Sequence, residues 1–184
     1  PQEVRELDSA NRGLVMVYTG NGKGKTTAAL GLALRQIGWG RRVLFLQFMK
    51  GEGNVYGERI AAQKYLPLLE IEQLGREEFV NLSDPDPIDR KLAQQGLERA
   101  KEAIKSKQYG LVVLDEVCVA TACGLVSAEQ VIELLGAVPE GTDVVLTGRY
   151  CPEAIIDMAD MVSEVREVKH HYKKGIPARE GIEF

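Results

Sequence analysis

Lys25, Thr26, Asp115 and Glu116 are the side chains that could do chemistry here. The first two close a glycine-rich stretch, Thr19-Gly20-Asn21-Gly22-Lys23-Gly24-Lys25-Thr26-Thr27. Glycines let the backbone coil tightly enough to aim successive N–H groups inward, which makes an anion nest. Lys25 supplies a positive charge for phosphates, and the Thr26 hydroxyl is placed to ligate a magnesium ion. Asp115 and Glu116 end the apolar run Leu111-Val112-Val113-Leu114. There, one carboxylate reaches the metal, directly or through water, and the other orients a water or ligates the ion. Acids that merely cap a strand are the competing account. The expected metal set is Thr26, Asp115 and Glu116, holding magnesium with manganese as a substitute.

The glycine spacing is unusual. In the pattern G-x-x-x-x-G-K-[ST] the first glycine would fall at Thr19; Gly20 comes one residue late, and Gly22 and Lys23 add a glycine and a second cation. The cradle survives this change, but its outer rim need not hold a nucleotide in the ordinary way. Three more cations could clamp phosphate oxygens or ribose, because guanidinium and ammonium groups bind anions. Arg35 lies in the helix after the loop, where an ordinary surface role competes. Lys50 follows the second strand, and Arg149 stands at a strand's carboxyl end. The basic run Lys169-His170-His171-Tyr172-Lys173-Lys174-Gly175 either folds over the site or is solvated.

These residues need elements to position them. Gly13 to Tyr18 reads as a strand over 14–18, and Ala28 to Ile37 as a helix stopped by Gly38-Trp39-Gly40. Strand, glycine-rich turn, helix is the context a phosphate loop requires. Val43 to Phe48 is a continuous apolar run, the mark of a strand buried on both faces of a parallel sheet. Met49 to Tyr56 reads as a loop, 58–65 as a short helix, and 68–74 as a strand less deeply buried. A long loop follows to Asp86-Pro87, a helix start. Ile88, Leu92, Gly96, Ala100 and Ile104 give that helix an apolar side. Ser127 to Gln130 is a capping box opening a helix to about Leu135. Residues 143–147 form a strand, Pro152 starts a helix through Met158, and 161–165 form a last strand. The alternation predicts a single doubly wound, mainly parallel α/β domain of the phosphate-loop NTPase, RecA-like kind, with its site at the carboxyl ends of the strands. Residues 1–12 read as a polar lead-in and 167–184 as a tail closing over the site.

At 184 residues the chain suits one domain with a substantial core. A net charge of −4 argues against a general nucleic-acid or acidic-membrane binder. Three cysteines without C-x-x-C spacing make neither a disulfide framework nor a zinc site, and read as small buried hydrophobes. No run approaches a membrane span, and the expected location is the cytoplasm.

Taken together the motifs resemble the corrinoid adenosyltransferases. The likeness runs from Gly13 to Phe184 and rests on 19–29, Val43-Leu44-Phe45-Leu46-Gln47-Phe48-Met49-Lys50-Gly51, Val112-Val113-Leu114-Asp115-Glu116, Leu146-Thr147-Gly148-Arg149, Val168-Lys169-His170 and Gly181-Ile182-Glu183-Phe184. The resemblance implies that a cobalt(I) corrinoid attacks the 5′-carbon of ATP and expels inorganic triphosphate. It implies a nucleotide held in the reversed sense along the loop, which fits the altered rim at Thr19. Lys25, Glu116 and Arg149 are then the catalytic set. The family strips the lower axial ligand from cobalt with aromatic side chains in the loop after the third strand, where this chain has Phe79; a loop anchor is the competing role. Trp39 reads as structural. A homodimer is implied, and an electron-donating reductase is a compatible partner. Two other readings compete: a phosphate-loop ATPase or switch with Glu116 orienting water, and a nucleotide-sensing regulator that turns nothing over.

Overall fold

The computed structural model describes residues 12–51, 53, 55–78 and 80–184, so most of the amino-terminal lead-in and Phe79 lie outside the described residues. Six parallel strands form one sheet in the order β3-β2-β4-β5-β1-β6. They are β1 (Val15–Thr19), β2 (Val43–Gly51), β3 (Leu69–Gly75), β4 (Leu111–Asp115), β5 (Asp143–Thr147) and β6 (Met161–Glu164). Among the described residues every strand pairing is parallel, in keeping with the doubly wound, mainly parallel sheet expected.

Parallel strands need crossover helices, and those helices cover both faces of the sheet. Because side chains alternate along a strand, each central strand feeds two cores. Val15, Val17, Leu44, Leu46, Phe48, Val112 and Leu114 pack toward one face. There they meet α3 (Pro87–Ser106), α4 (Val117–Ala122), α5 (Ala128–Gly136) and α6 (Glu153–Met158). Met16, Val43, Phe45, Leu111 and Val113 pack toward the other, under α1 (Lys25–Gly38) and α2 (Gly57–Tyr65). Among the described residues no helix is long and apolar enough to cross a membrane.

Several local readings change. β2 runs three residues past Phe48, to Gly51, where a loop was expected. Its pairing with β3 slips between Phe48 and Gly51, and Met49 takes a left-handed conformation with φ 61°. This is a bulge, which re-aims the next side chain. On α3, Ile88 is 42% exposed and the buried stripe is Ala93, Gly96, Leu97, Ala100, Ala103 and Ile104. The first turn instead buries Asp89, whose carboxylate takes two hydrogen bonds of 2.7 Å from the Arg76 guanidinium. Trp39 caps α1 through its backbone N–H, while its side chain stands 85% exposed. Of the three cysteines, all free, Cys118 is buried while Cys123 and Cys151 are half-buried.

Candidate active site

The carboxyl edge of the sheet opens into a cleft of about 510 Å³. Its floor is the phosphate loop and the first turn of α1, including Asn21, Gly22, Lys23, Gly24, Lys25, Thr26 and Thr27. α1 starts where Gly24 turns the chain with φ 118°, a conformation that glycine adopts freely. The helix then presents its unpaired N–H groups and the positive end of its dipole to the cleft. Gly22 is bound on its outer side, its N–H donating to the Val165 carbonyl at 2.7 Å. A Cβ on Gly22 would come within 2.8 Å of the backbone of Val165 and Arg166, so the loop lies directly against the end of β6. Thr19 and Gly20 do not line the cleft. They form the stem behind it, with Gly20 against Val165 and the Thr19 hydroxyl accepting from the Cys151 N–H at 3.4 Å.

Lys25 folds back over the loop, its ammonium donating to the Gly22 carbonyl at 2.7 Å. Burial lowers its pKa, a pull that Glu116 opposes and Arg149 reinforces. Beside it the Thr26 hydroxyl donates to Asp115 Oδ1 at 2.8 Å. The Thr147 hydroxyl donates to the same oxygen at 2.7 Å, and the Lys50 ammonium meets Oδ2 at 3.0 Å. Asp115 is wholly buried, and it knits the ends of β1's loop, β2, β4 and β5 into one corner. Thr147 also accepts from the Glu116 N–H at 2.9 Å, which holds Glu116 in a left-handed conformation with φ 65° at the start of α4. Burial, and next the neighbouring Asp115 charge, raises the Glu116 carboxyl above its usual range. For Lys50 burial opposes the charged form, but Asp115 outweighs it and the pKa is raised.

These donors suit magnesium. A hydroxyl and a carboxylate are hard oxygen ligands, and magnesium is typically held by one or two such side chains completed by phosphate oxygens and water. Among the described residues no three His, Cys, Asp or Glu side chains gather into a metal site of their own, so the phosphates would have to complete the shell.

Arg149 follows Gly148 at the end of β5 and lines the cleft from an exposed position. Arg35 does not reach it. Ten residues along α1 from Lys25, at about 1.5 Å per residue, carry it to the far end of the helix. There it lines a second cavity with Leu14, Trp39 and Arg41. The remaining wall comes from residues not singled out as ligands. Glu58, at the start of α2, lines the cleft with one oxygen held by the buried Gln47 amide at 2.9 Å. His170, Ile182, Glu183 and Phe184 bring the tail to the cleft. Glu183 sits 3.6 Å from the Lys23 ammonium and 3.5 Å from the His171 ring nitrogen. Lys173 is turned away from the cleft and pairs with Glu167. A buried glutamine inside an apolar strand run and an acid at a helix start were the available signals for Gln47 and Glu58.

A wholly parallel sheet, a glycine-rich nest capping the first helix and an acid at a neighbouring strand end define a phosphate-loop α/β protein. Residues 11–184 match the family of ATP:corrinoid adenosyltransferases BtuR/CobO/CobP, and the chain belongs to that family of transferases. It is 34% identical over 185 residues to a corrinoid adenosyltransferase of Sinorhizobium, covering 100% of this chain and 86% of the relative. It is 36% identical to corrinoid adenosyltransferase CobA of Salmonella typhimurium over 173 residues, 94% of this chain and 86% of that one. An uncharacterized Nostoc protein is 40% identical over 183 residues, covering 94% of this chain but 48% of that longer protein.

Proposed function

We propose that the protein transfers the 5′-deoxyadenosyl group of ATP to the cobalt(I) of a reduced corrinoid. The cobalt–carbon bond forms as the bond from C5′ to the α-phosphate oxygen breaks; the cobalt supplies the electron pair, and the leaving pair goes to inorganic triphosphate. The observation that carries this reading is family membership over residues 11–184, in a chain whose phosphate nest, Lys25, Thr26 and Glu116 line one cleft, with Thr26 hydrogen-bonded to the buried Asp115 behind it.

The geometry suits such a reaction. Reduced cobalt is already a strong nucleophile, so no side chain need act as a base toward it. The protein has to position the two substrates and stabilise the negative charge that grows on the departing triphosphate. Loop N–H groups and Lys25 face that charge, and Arg149 stands at the cleft's mouth to meet it. Thr26 and Asp115 would hold magnesium, which when bound neutralises phosphate charge. Glu116 stays close to Lys25 and Arg149 and fixes the net charge of the corner. The tail from His170 to Phe184 would close the nucleotide in, and Phe79 would meet the corrin ring. The same proposal includes a homodimer, checked by sedimentation, and an external electron donor for the corrinoid.

The test mixes protein, ATP, magnesium and chemically reduced cobalamin. A light-sensitive adenosylated corrinoid formed in step with triphosphate is expected. Steady phosphate release with no corrinoid present would replace this reading with ATP hydrolysis, Glu116 orienting the water.

A further inference from the structure

Lys50 has a contact that a simple phosphate clamp does not explain. Its ammonium lies on Asp115 Oδ2, the one oxygen of that carboxylate left by the Thr26 and Thr147 hydroxyls, which share Oδ1. The fold takes trouble to put it there. Met49 is left-handed and β2 slips register at that point, so the bulge turns Lys50 to the end of β4. Asp115 is without solvent contact, and a bare carboxylate there would be strongly disfavoured. Lys50 therefore neutralises the acid that the phosphate loop needs for its metal. A divalent ion or its water shell needs Oδ2, and two cations in one dry corner repel. Lys50 also has somewhere to go. It lines the cleft, lies 4.8 Å from the Tyr56 ring and has the Glu58 carboxylate nearby.

We propose that Lys50 is the resident counter-ion of Asp115, displaced when a divalent ion binds, and that the displaced ammonium turns into the cleft to pair with the triphosphate. Lys50 thus couples metal entry to the arrival of a charge for the leaving group. No covalent change is involved. The inference rests on the proposed phosphate-binding role of the cleft.

The experiment titrates Mn2+ alone into nucleotide-free protein, read by electron paramagnetic resonance. Lys50→Met should bind Mn2+ about tenfold more tightly than the native chain, since the competing cation is gone. Lys50→Arg should bind as the native chain does, and in an Asp115→Asn background Lys50→Met should change nothing. Unchanged or weaker Mn2+ binding by folded Lys50→Met overturns the proposal. If that variant does not fold, a crystal structure of the native chain with Mn2+ and tripolyphosphate decides. Lys50 on a triphosphate oxygen and off Asp115 is expected. Lys50 still on Asp115 with tripolyphosphate bound overturns this inference alone, whereas no binding of tripolyphosphate removes it together with the proposed function.

Discussion

Lys25 lies buried against the carbonyl of its own loop, so its charge is already largely desolvated, which suits the proposed contact with phosphate. Lys25→Ala should reduce adenosyl transfer by about 100-fold or more, the scale of removing a donor aimed at developing charge, with the circular dichroism spectrum unchanged. Glu116 carries a different signature. A non-glycine residue at φ 65° stores backbone strain of about 1–2 kcal/mol, and strain of this kind gathers at functional sites. Glu116→Gly should therefore melt a few degrees higher while losing transfer activity, seen by pairing a melting curve with the corrinoid assay. Equal or lower stability together with full activity would deny Glu116 any role. Gly148 shows the reverse constraint. It has φ 133°, and a Cβ there would sit 3.0 Å from Cys118 and from the Val119 nitrogen. Gly148→Ala should displace Arg149 and lower both stability and turnover.

The loop leaving β3 is pinned to α3 by Arg76 and Asp89, and this pairing makes a pH prediction. The hydrogen bonds from Arg76 hold the Asp89 carboxyl below its ordinary range. A depressed carboxyl contributes stability above its unfolded pKa, and that contribution is lost as pH falls through the folded value. Arg76→Leu should thus melt lower at neutral pH, and the gap to the native chain should close in acid; a gap independent of pH would show that Arg76 acts through packing alone. At this scale the sequence was readable where elements announce themselves chemically. Continuous apolar runs marked β2 and β4, and Asp86-Pro87 and Ser127 to Gln130 marked helix starts. Two features carried no such mark. α4 has six residues, too few to show a period, and the Met49 bulge depends on a pairing register that only the assembled sheet fixes. For the same reason the motifs mark Lys25, Thr26 and Asp115 as chemical residues, but nothing local says that Thr147 bonds Asp115 or that Glu58 and Glu183 line the cleft. Those placements come from strand order and from the path of the tail, which no local spacing encodes. Arg35 failed for the opposite reason: it is near the loop in sequence and far from it along a rigid helix.

Across the whole molecule, the two cores share one sheet, so a loss in either is felt by the site between them. Phe45, fully buried beneath α1 and α2, should cost about 3–5 kcal/mol as Phe45→Ala, measured by denaturant unfolding. The strand that launches the phosphate loop is flanked by β5 and β6, both supplied by the last third of the chain. Its partners are thus the most distant that the topology offers, and loop closure over such separations slows folding. During synthesis the glycine-rich turn would leave the ribosome early and wait, unshaped, for neighbours not yet made. Recovery of nucleotide affinity after dilution from denaturant should accordingly lag behind the return of helix signal, a delay that stopped-flow traces of the two probes would reveal.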